Sequence, residues 1–124
     1  MNRFTALPLA ALLTACVTGP AHPLNDGAPA ALGETVQVGS VLATPVSVQE
    51  DSRCPYNVQC IQAGRVVVST RLDGQGWRET VPLVLDEPYA VQGTTITVSR
   101  VFPDKIAQRE VPRHEYRFIF EGGA

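Results

Sequence analysis

Long apolar stretches are almost absent from this chain. The one apolar run of note, Phe4 to Leu13, is too short to span a bilayer as a mature helix. Beyond it, no window longer than ten residues repeats with the helical period of 3.6, which excludes a helical core. An excess of charge is missing too. Ten Lys and Arg against twelve Asp and Glu leave a formal net charge of -2. That removes the electrostatic case for binding nucleic acid or an anionic lipid surface. Histidine occurs only as His22 and His114. A hydrolase that uses a histidine base therefore has one candidate in the folded part, His114, next to Glu115. No nucleophile elbow surrounds Ser40, Ser47, Ser52, Ser69 or Ser99. The glycines of Asp73-Gly74-Gln75-Gly76-Trp77 fit a hairpin turn better than a phosphate-binding loop. The chain shows no cofactor motif, no internal repeat and no second domain.

What the N-terminus does have is an address. Arg3 supplies a positive charge, the apolar run follows, and Leu13-Thr14-Ala15-Cys16 closes it with small residues leading into a cysteine. The tetrapeptide resembles the lipobox of bacterial lipoproteins. The resemblance implies a signal peptide over 1–15, a diacylglyceryl thioether on Cys16 and cleavage between Ala15 and Cys16. Two or three acyl chains on one residue suffice for stable membrane attachment. Val17 stands where some lipoproteins carry an inner-membrane-retaining Asp, which favours the outer membrane, facing the periplasm, in a Gram-negative cell. From Val17 to Gly33 the chain alternates Pro, Gly and Ala with no apolar period. Residues 16–33 are therefore expected to form the lipidated end and a flexible tether, with His22 a solvated side chain within it.

The remainder, 34–124, reads as one all-β domain. Short runs rich in Val, Thr and Ile recur at eight- to twelve-residue spacing, which favours a small antiparallel β-sandwich or a partly open barrel. Val36, Val38 and Val41 alternate with polar neighbours; Pro45 is expected to interrupt before Val46 and Val48 resume. Val66, Val67, Val68 and Leu72 make a strand dense enough to be buried on both sides. Pro82 marks its own strand as an edge or a bulge. From His114 to Phe120 a last strand places Tyr116, Phe118 and Phe120 on one face and Arg117 and Ile119 on the other. Pro103 to Arg113 is a charged loop, in which 104–110 has room for at most one helical turn.

With Cys16 assigned to lipid, Cys54 and Cys60 remain. An even pair outside the cytoplasm, across a loop containing Pro55, reads as a disulfide. The spacing is too long for a thioredoxin-like redox motif, and structural zinc uses closer pairs, so a thiol redox site and a zinc site with Cys54, Cys60 and His114 are the weaker alternatives. Beside the pair lie Glu50, Asp51, Ser52, Arg53 and Tyr56. Arg53 is placed to pair with Asp51, Glu50 or a carboxylate on a neighbouring strand and so to fix a corner. The competing reading makes Glu50, Asp51, Arg53 and Tyr56 a recognition loop at one end of the domain.

The residues Asp51-Ser52-Arg53-Cys54-Pro55, followed by Cys60-Ile61-Gln62-Ala63-Gly64, resemble the signature of a family of small exported bacterial proteins and lipoproteins. Its pattern is Asp-Ser-Arg-Cys-Pro, a short loop, then Cys-x-Trp-Ala-Gly before a Val-rich strand. The resemblance implies that Cys54 and Cys60 belong to one structural unit, and it implies no activity. Gln62 stands where the pattern has Trp. If that Trp packs over the disulfide, Trp77 is the residue available to take its place. Together these features lead to the expectation of a lipid-anchored envelope protein with a non-catalytic binding or structural module, its partner an envelope protein, a peptide or an export component. A small envelope enzyme using His114 or the cysteine pair, and an inhibitor-like module presenting the Cys54–Cys60 loop, are the alternatives.

Overall fold

The computed structural model describes residues 22–123. The expected signal peptide and Cys16 lie outside them. Seven strands form two antiparallel sheets that face each other and are not closed into a barrel. The first sheet has the order β1 (Val36–Val38), β2 (Val41–Asp51), β3 (Val66–Gly74), β4 (Trp77–Val84). The second has β5 (Tyr89–Val91), β6 (Thr94–Phe102) and β7 (Arg117–Gly123).

Alternation along these strands builds the core. Val36 and Val38, Leu72, Leu83, Ile96, Val98, Phe118 and Phe120 point inward and are fully buried. Val66, Val67 and Val68 are all buried at the start of the central strand β3, as the unbroken Val run predicts. Tyr116, Phe118 and Phe120 share a face, with ring centroids 5.7 Å and 6.5 Å apart.

Three tight turns gather at one end. Val38 pairs with Val41, Gly74 with Trp77 and Val91 with Thr94, leaving two residues in each loop. Gln92 and Gly93 both take positive φ, 49° and 76°, as a type I′ turn requires. This end is called the hairpin end below. The opposite end holds the loop between β2 and β3 and the long connection from β6 to β7, and is called the corner end.

The strand readings need three adjustments. Pro45 does not interrupt β2. The strand runs through it with a register shift between Pro45 and Ser47, and Val46, the extra residue, is turned out to solvent. Strand β7 begins at Arg117 rather than His114, because 113–115 form a single 3-10 turn. Residues 104–110 contain a turn closed by the Arg109 amide donating to the Ile106 carbonyl, with no helix. Pro82 sits exposed on β4, which is an edge strand as expected.

The larger correction concerns the tether. Within the described residues, the stretch expected to be flexible is fastened to the sandwich. The Leu24 amide donates to the Thr35 carbonyl (2.8 Å), and Gln37 donates back to Leu24 (2.9 Å). Six residues on, Ala30 and Phe118 exchange both backbone hydrogen bonds at 2.9 Å. Leu24 thus extends the β1 edge of one sheet, and Ala30 the β7 edge of the other. Ala30 is fully buried, and Leu24, Ala28 and Leu32 pack against the core. Composition hid this because proline and glycine disfavour regular elements without disfavouring contact, and Ala30 is fully buried all the same. On the far flank the chain closes the gap itself. The Leu85 amide donates to Val66 of β3, and the next amide, Asp86, donates to Val98 of β6.

If 24–32 is a structural strap, a chain starting at Gly33 unfolds at lower urea than one starting at His22. Two cross-strand bond pairs and the partial burial of two leucines make the expected loss about 2–4 kcal/mol. Equal midpoints with equal slopes would show that the strap contributes nothing.

Candidate functional site

The corner end is where the sequence concentrates its unusual residues. Asp51 is the last residue of β2. Its carboxylate accepts two parallel bonds from Arg53, Nε to Oδ1 at 2.9 Å and Nη2 to Oδ2 at 2.8 Å. This is the fork geometry in which a guanidinium binds a carboxylate most strongly. The remaining Arg53 nitrogen, Nη1, donates to the Val101 carbonyl on β6 at 3.2 Å. The Tyr116 hydroxyl, just before β7, donates to Asp51 Oδ2 at 2.8 Å. Lys105 Nζ donates to the Asp51 backbone carbonyl at 2.5 Å. One aspartate therefore gathers the end of β2, the end of β6 and the start of β7.

The ion pair is largely shielded: the side chains of Arg53 and Asp51 are 14% and 9% exposed. Burial alone pushes the Asp51 carboxyl up. The Arg53 hydrogen bonds, the Tyr116 hydroxyl and the Arg53 charge outweigh it, holding the carboxyl below its ordinary value of 3.8. Tyr116 is driven well above its ordinary value by burial and by its bond to the Asp51 carboxylate. Arg53 is raised, first by its bonds to Asp51, so the pair stays ionised.

Around this knot the two loops clasp each other. Cys54 and Cys60 form a disulfide, with Cα atoms 5.9 Å apart. The Tyr56 amide donates to the Lys105 carbonyl (3.0 Å), and Asn57 Oδ1 accepts from the Ala107 amide (3.0 Å). At the base, Ser52 and Arg65 bond through backbone and hydroxyl, and Arg65 Nε meets Glu50 Oε2 at 2.6 Å on an exposed surface. Gly64 lies directly against the Ser52 carbonyl, and a Cβ there would overlap that backbone.

The four residues of the expected recognition loop take different places. Asp51 and Arg53 face each other inside the corner. Glu50 pairs with Arg65 across the loop base. Tyr56 alone projects, 72% exposed. Two neighbours that the sequence reading passed over project with it: Val58 at 44% and Ile61, which is fully exposed. Of the four large apolar residues exposed in the described chain, three lie on this one loop. Periodicity gives no warning of them, because the β2–β3 loop, which holds Tyr56 and Val58 within the disulfide ring and Ile61 just after it, has no period. Tyr116 was legible as sharing a face with Phe118 and Phe120, not as a partner of Asp51; Lys105, in an irregular loop, carried no signal.

An open groove of about 360 Å³ runs beside the knot, between Val48–Asp51 of β2 and Lys105, Val111 and Arg113 of the long loop. His114 is exposed on the 3-10 turn, and its carbonyl accepts from Arg117. Cys54 and Cys60 are bonded to each other and offer no thiolate pair to a metal. Among the described residues no group of three or more His, Cys, Asp or Glu is placed to hold one. Trp77, offered above as cover for the disulfide, lies at the other end of the sandwich, where its indole covers Gly74. Gln62 is exposed.

Three substitutions probe the corner. Because Asp51 is held below its unfolded value, its contribution is full above about pH 5 and is lost as pH falls through the folded value. Asp51→Asn should lose about 3 kcal/mol at pH 7, where Arg53 is left without its counter-charge, and should flatten the acid limb of stability against pH. Tyr116→Phe should cost about 1 kcal/mol. An unchanged acid limb in Asp51→Asn would remove Asp51 from the account. Gly64→Ala should destabilise by about 1–3 kcal/mol and speed exchange of the Ser52 amide; a neutral substitution would show that the close approach to Ser52 does not constrain the loop.

No protein-family model, curated protein or solved structure matches this chain.

Proposed function

We propose that the protein is a lipid-anchored component of the bacterial cell envelope whose β-sandwich acts by binding another envelope protein or a peptide, without catalysis. The anchor rests on Leu13-Thr14-Ala15-Cys16 behind a short apolar run. Val17 after the cysteine favours the outer membrane, facing the periplasm, in a Gram-negative cell.

The observation that carries the binding reading is the exposure of Tyr56, Val58 and Ile61 together on one constrained loop. Large apolar side chains clustered in solvent mark interaction surfaces. The disulfide and the clasp to 105–107 order this loop before any partner arrives, so little conformational entropy is left to lose on binding. The polar groups of the corner support the same reading. Asp51, Arg53 and the Tyr116 hydroxyl are engaged with one another, which suits a scaffold for the loop better than acid–base chemistry.

The test has two readouts in the native organism. Intact-mass analysis of the membrane fraction should give a chain starting at Cys16 with added acyl mass and a two-dalton gain on reduction, and Cys16→Ser should move the protein to the soluble fraction. A photo-crosslinking residue at position 61 should yield a discrete adduct that the same probe at Glu87 does not, and Tyr56→Ala should weaken it while the protein stays folded. An unlipidated chain cut elsewhere overturns the anchor. Identical crosslinking from positions 61 and 87 overturns the loop.

A further inference from the structure

The hairpin end carries a second cavity of about 380 Å³, on the opposite side of the domain from the corner loop. With strands of eight to eleven residues between them, the two ends are about 25–30 Å apart. The cavity opens across the mouth of the sandwich. Ser40 comes from the β1–β2 turn, Gln75 and Trp77 from the β3–β4 turn, and Gln92 and Gly93 from the β5–β6 turn, so both sheets contribute.

We propose that this cavity is a binding site for a neutral saccharide. Its composition points there. A pyranose presents an apolar face of C–H groups and a rim of hydroxyls. It is held by an aromatic ring against the face and by uncharged donors and acceptors at the rim. Trp77, the one tryptophan of the chain, supplies the ring. It is half-buried, with Gly74 beneath the indole, so its orientation is set by the absence of a side chain on its cross-strand partner. Ser40 and Gln75 supply a hydroxyl and a carboxamide that make no hydrogen bond within the described residues. Gln92 donates one bond to Glu79, at 3.1 Å, which orients its carboxamide at the rim.

Charge argues for a neutral ligand. None of the residues lining the cavity is ionisable. Asp73 on β3 binds both Arg71, at 3.1 Å, and Arg78, and the Glu79 carboxylate on β4 accepts from Gln92, so no unpaired cation of β3 or β4 faces the cavity. An acidic sugar or a phosphate would find no cation there, and a long apolar ligand would leave Ser40 and the two glutamines facing hydrocarbon. The rim is also pre-formed. Gly39, Gly76 and Gly93 hold the three turns in positive-φ conformations, so the loops need little ordering on binding.

Trp77 makes the test direct, because its emission is the only tryptophan signal of the chain. The mature full-length protein is titrated with chitotriose and with maltotriose, and with an acidic oligosaccharide of glucuronate as the charged control. At least one neutral sugar should shift Trp77 emission saturably. Gln75→Ala and Gln92→Ala should each weaken binding about two- to tenfold, the worth of one hydrogen bond. Trp77→Phe, which keeps a ring over Gly74, should weaken binding by calorimetry while the protein remains folded. No shift with either neutral sugar at its solubility limit would overturn the proposal. So would a shift indifferent to both glutamine substitutions, or equal affinity for the glucuronate control. None of these results bears on the corner loop or the lipid anchor, which lie elsewhere in the chain.

Discussion

Asp51 ties the two sheets together at the corner end. It ends β2 in one sheet; through Arg53 it reaches Val101 on β6 in the other; through the Tyr116 hydroxyl it holds the start of β7. A small sandwich has little core to spare for aligning its sheets, and a charged knot at one end fixes that alignment. Shielding two charges is costly, and the return depends on satisfying them completely. Here each nitrogen of the Arg53 guanidinium has an acceptor, and the carboxylate takes three side-chain bonds. The disulfide loop is built on this base. Arg53, one residue before Cys54, ties the start of that loop to both sheets.

Closure of the flanks follows a different logic. On the β4–β5 side, the chain crosses between sheets with consecutive amides, Leu85 to β3 and Asp86 to β6. On the β1–β7 side no such crossing exists, and the strap from Leu24 to Ala30 supplies it. A three-residue strand such as β1 leaves most of its neighbour's edge uncovered, and an open edge invites unwanted pairing. The strap covers part of that liability; Gly33, donating to the Pro45 carbonyl at 2.7 Å, extends the cover along β2. The Pro45 bulge and the strap thus belong together: where β2 departs from regular pairing, an irregular segment lies against it.

What was legible in the sequence is what rests on period and spacing. Alternation exposed the Tyr116-Phe118-Phe120 face, the dense run at Val66 to Val68 gave the central strand, and the even cysteine pair gave the disulfide. The Asp51–Arg53 contact was legible as one of several pairings open to Arg53. What was hidden rests on tertiary position. Proline-rich composition describes what a segment cannot form by itself, not what it lies against, so the strap read as free chain. Three apolar side chains on the disulfide loop were invisible as a patch because exposure is not encoded in residue type. Trp77 was legible at the end of a hairpin turn and was offered as cover for the disulfide; its cross-strand partner, Gly74, emerges from the hairpin register.

The strap also changes what an anchor at Cys16 would do. With Leu24 fastened to β1, only residues 17–23 separate the lipidated cysteine from the domain, a reach of at most about 25 Å. That is close to the length of the sandwich itself, and far less than a tether running to Gly33 would allow. The attachment point matters as much as the length. His22 and Leu24 lie beside Gly33 to Thr35, on the flank of the sandwich. A lipid joined at the flank would block neither end, so under the proposed anchoring the apolar loop at the corner and the tryptophan cavity at the hairpins would both stay open while the domain was confined to a thin layer above the membrane. Confinement raises the effective concentration of any partner held in that same layer. Under the proposed anchoring, weak contacts through a small loop would then suffice where a freely diffusing protein of this size would need a larger interface.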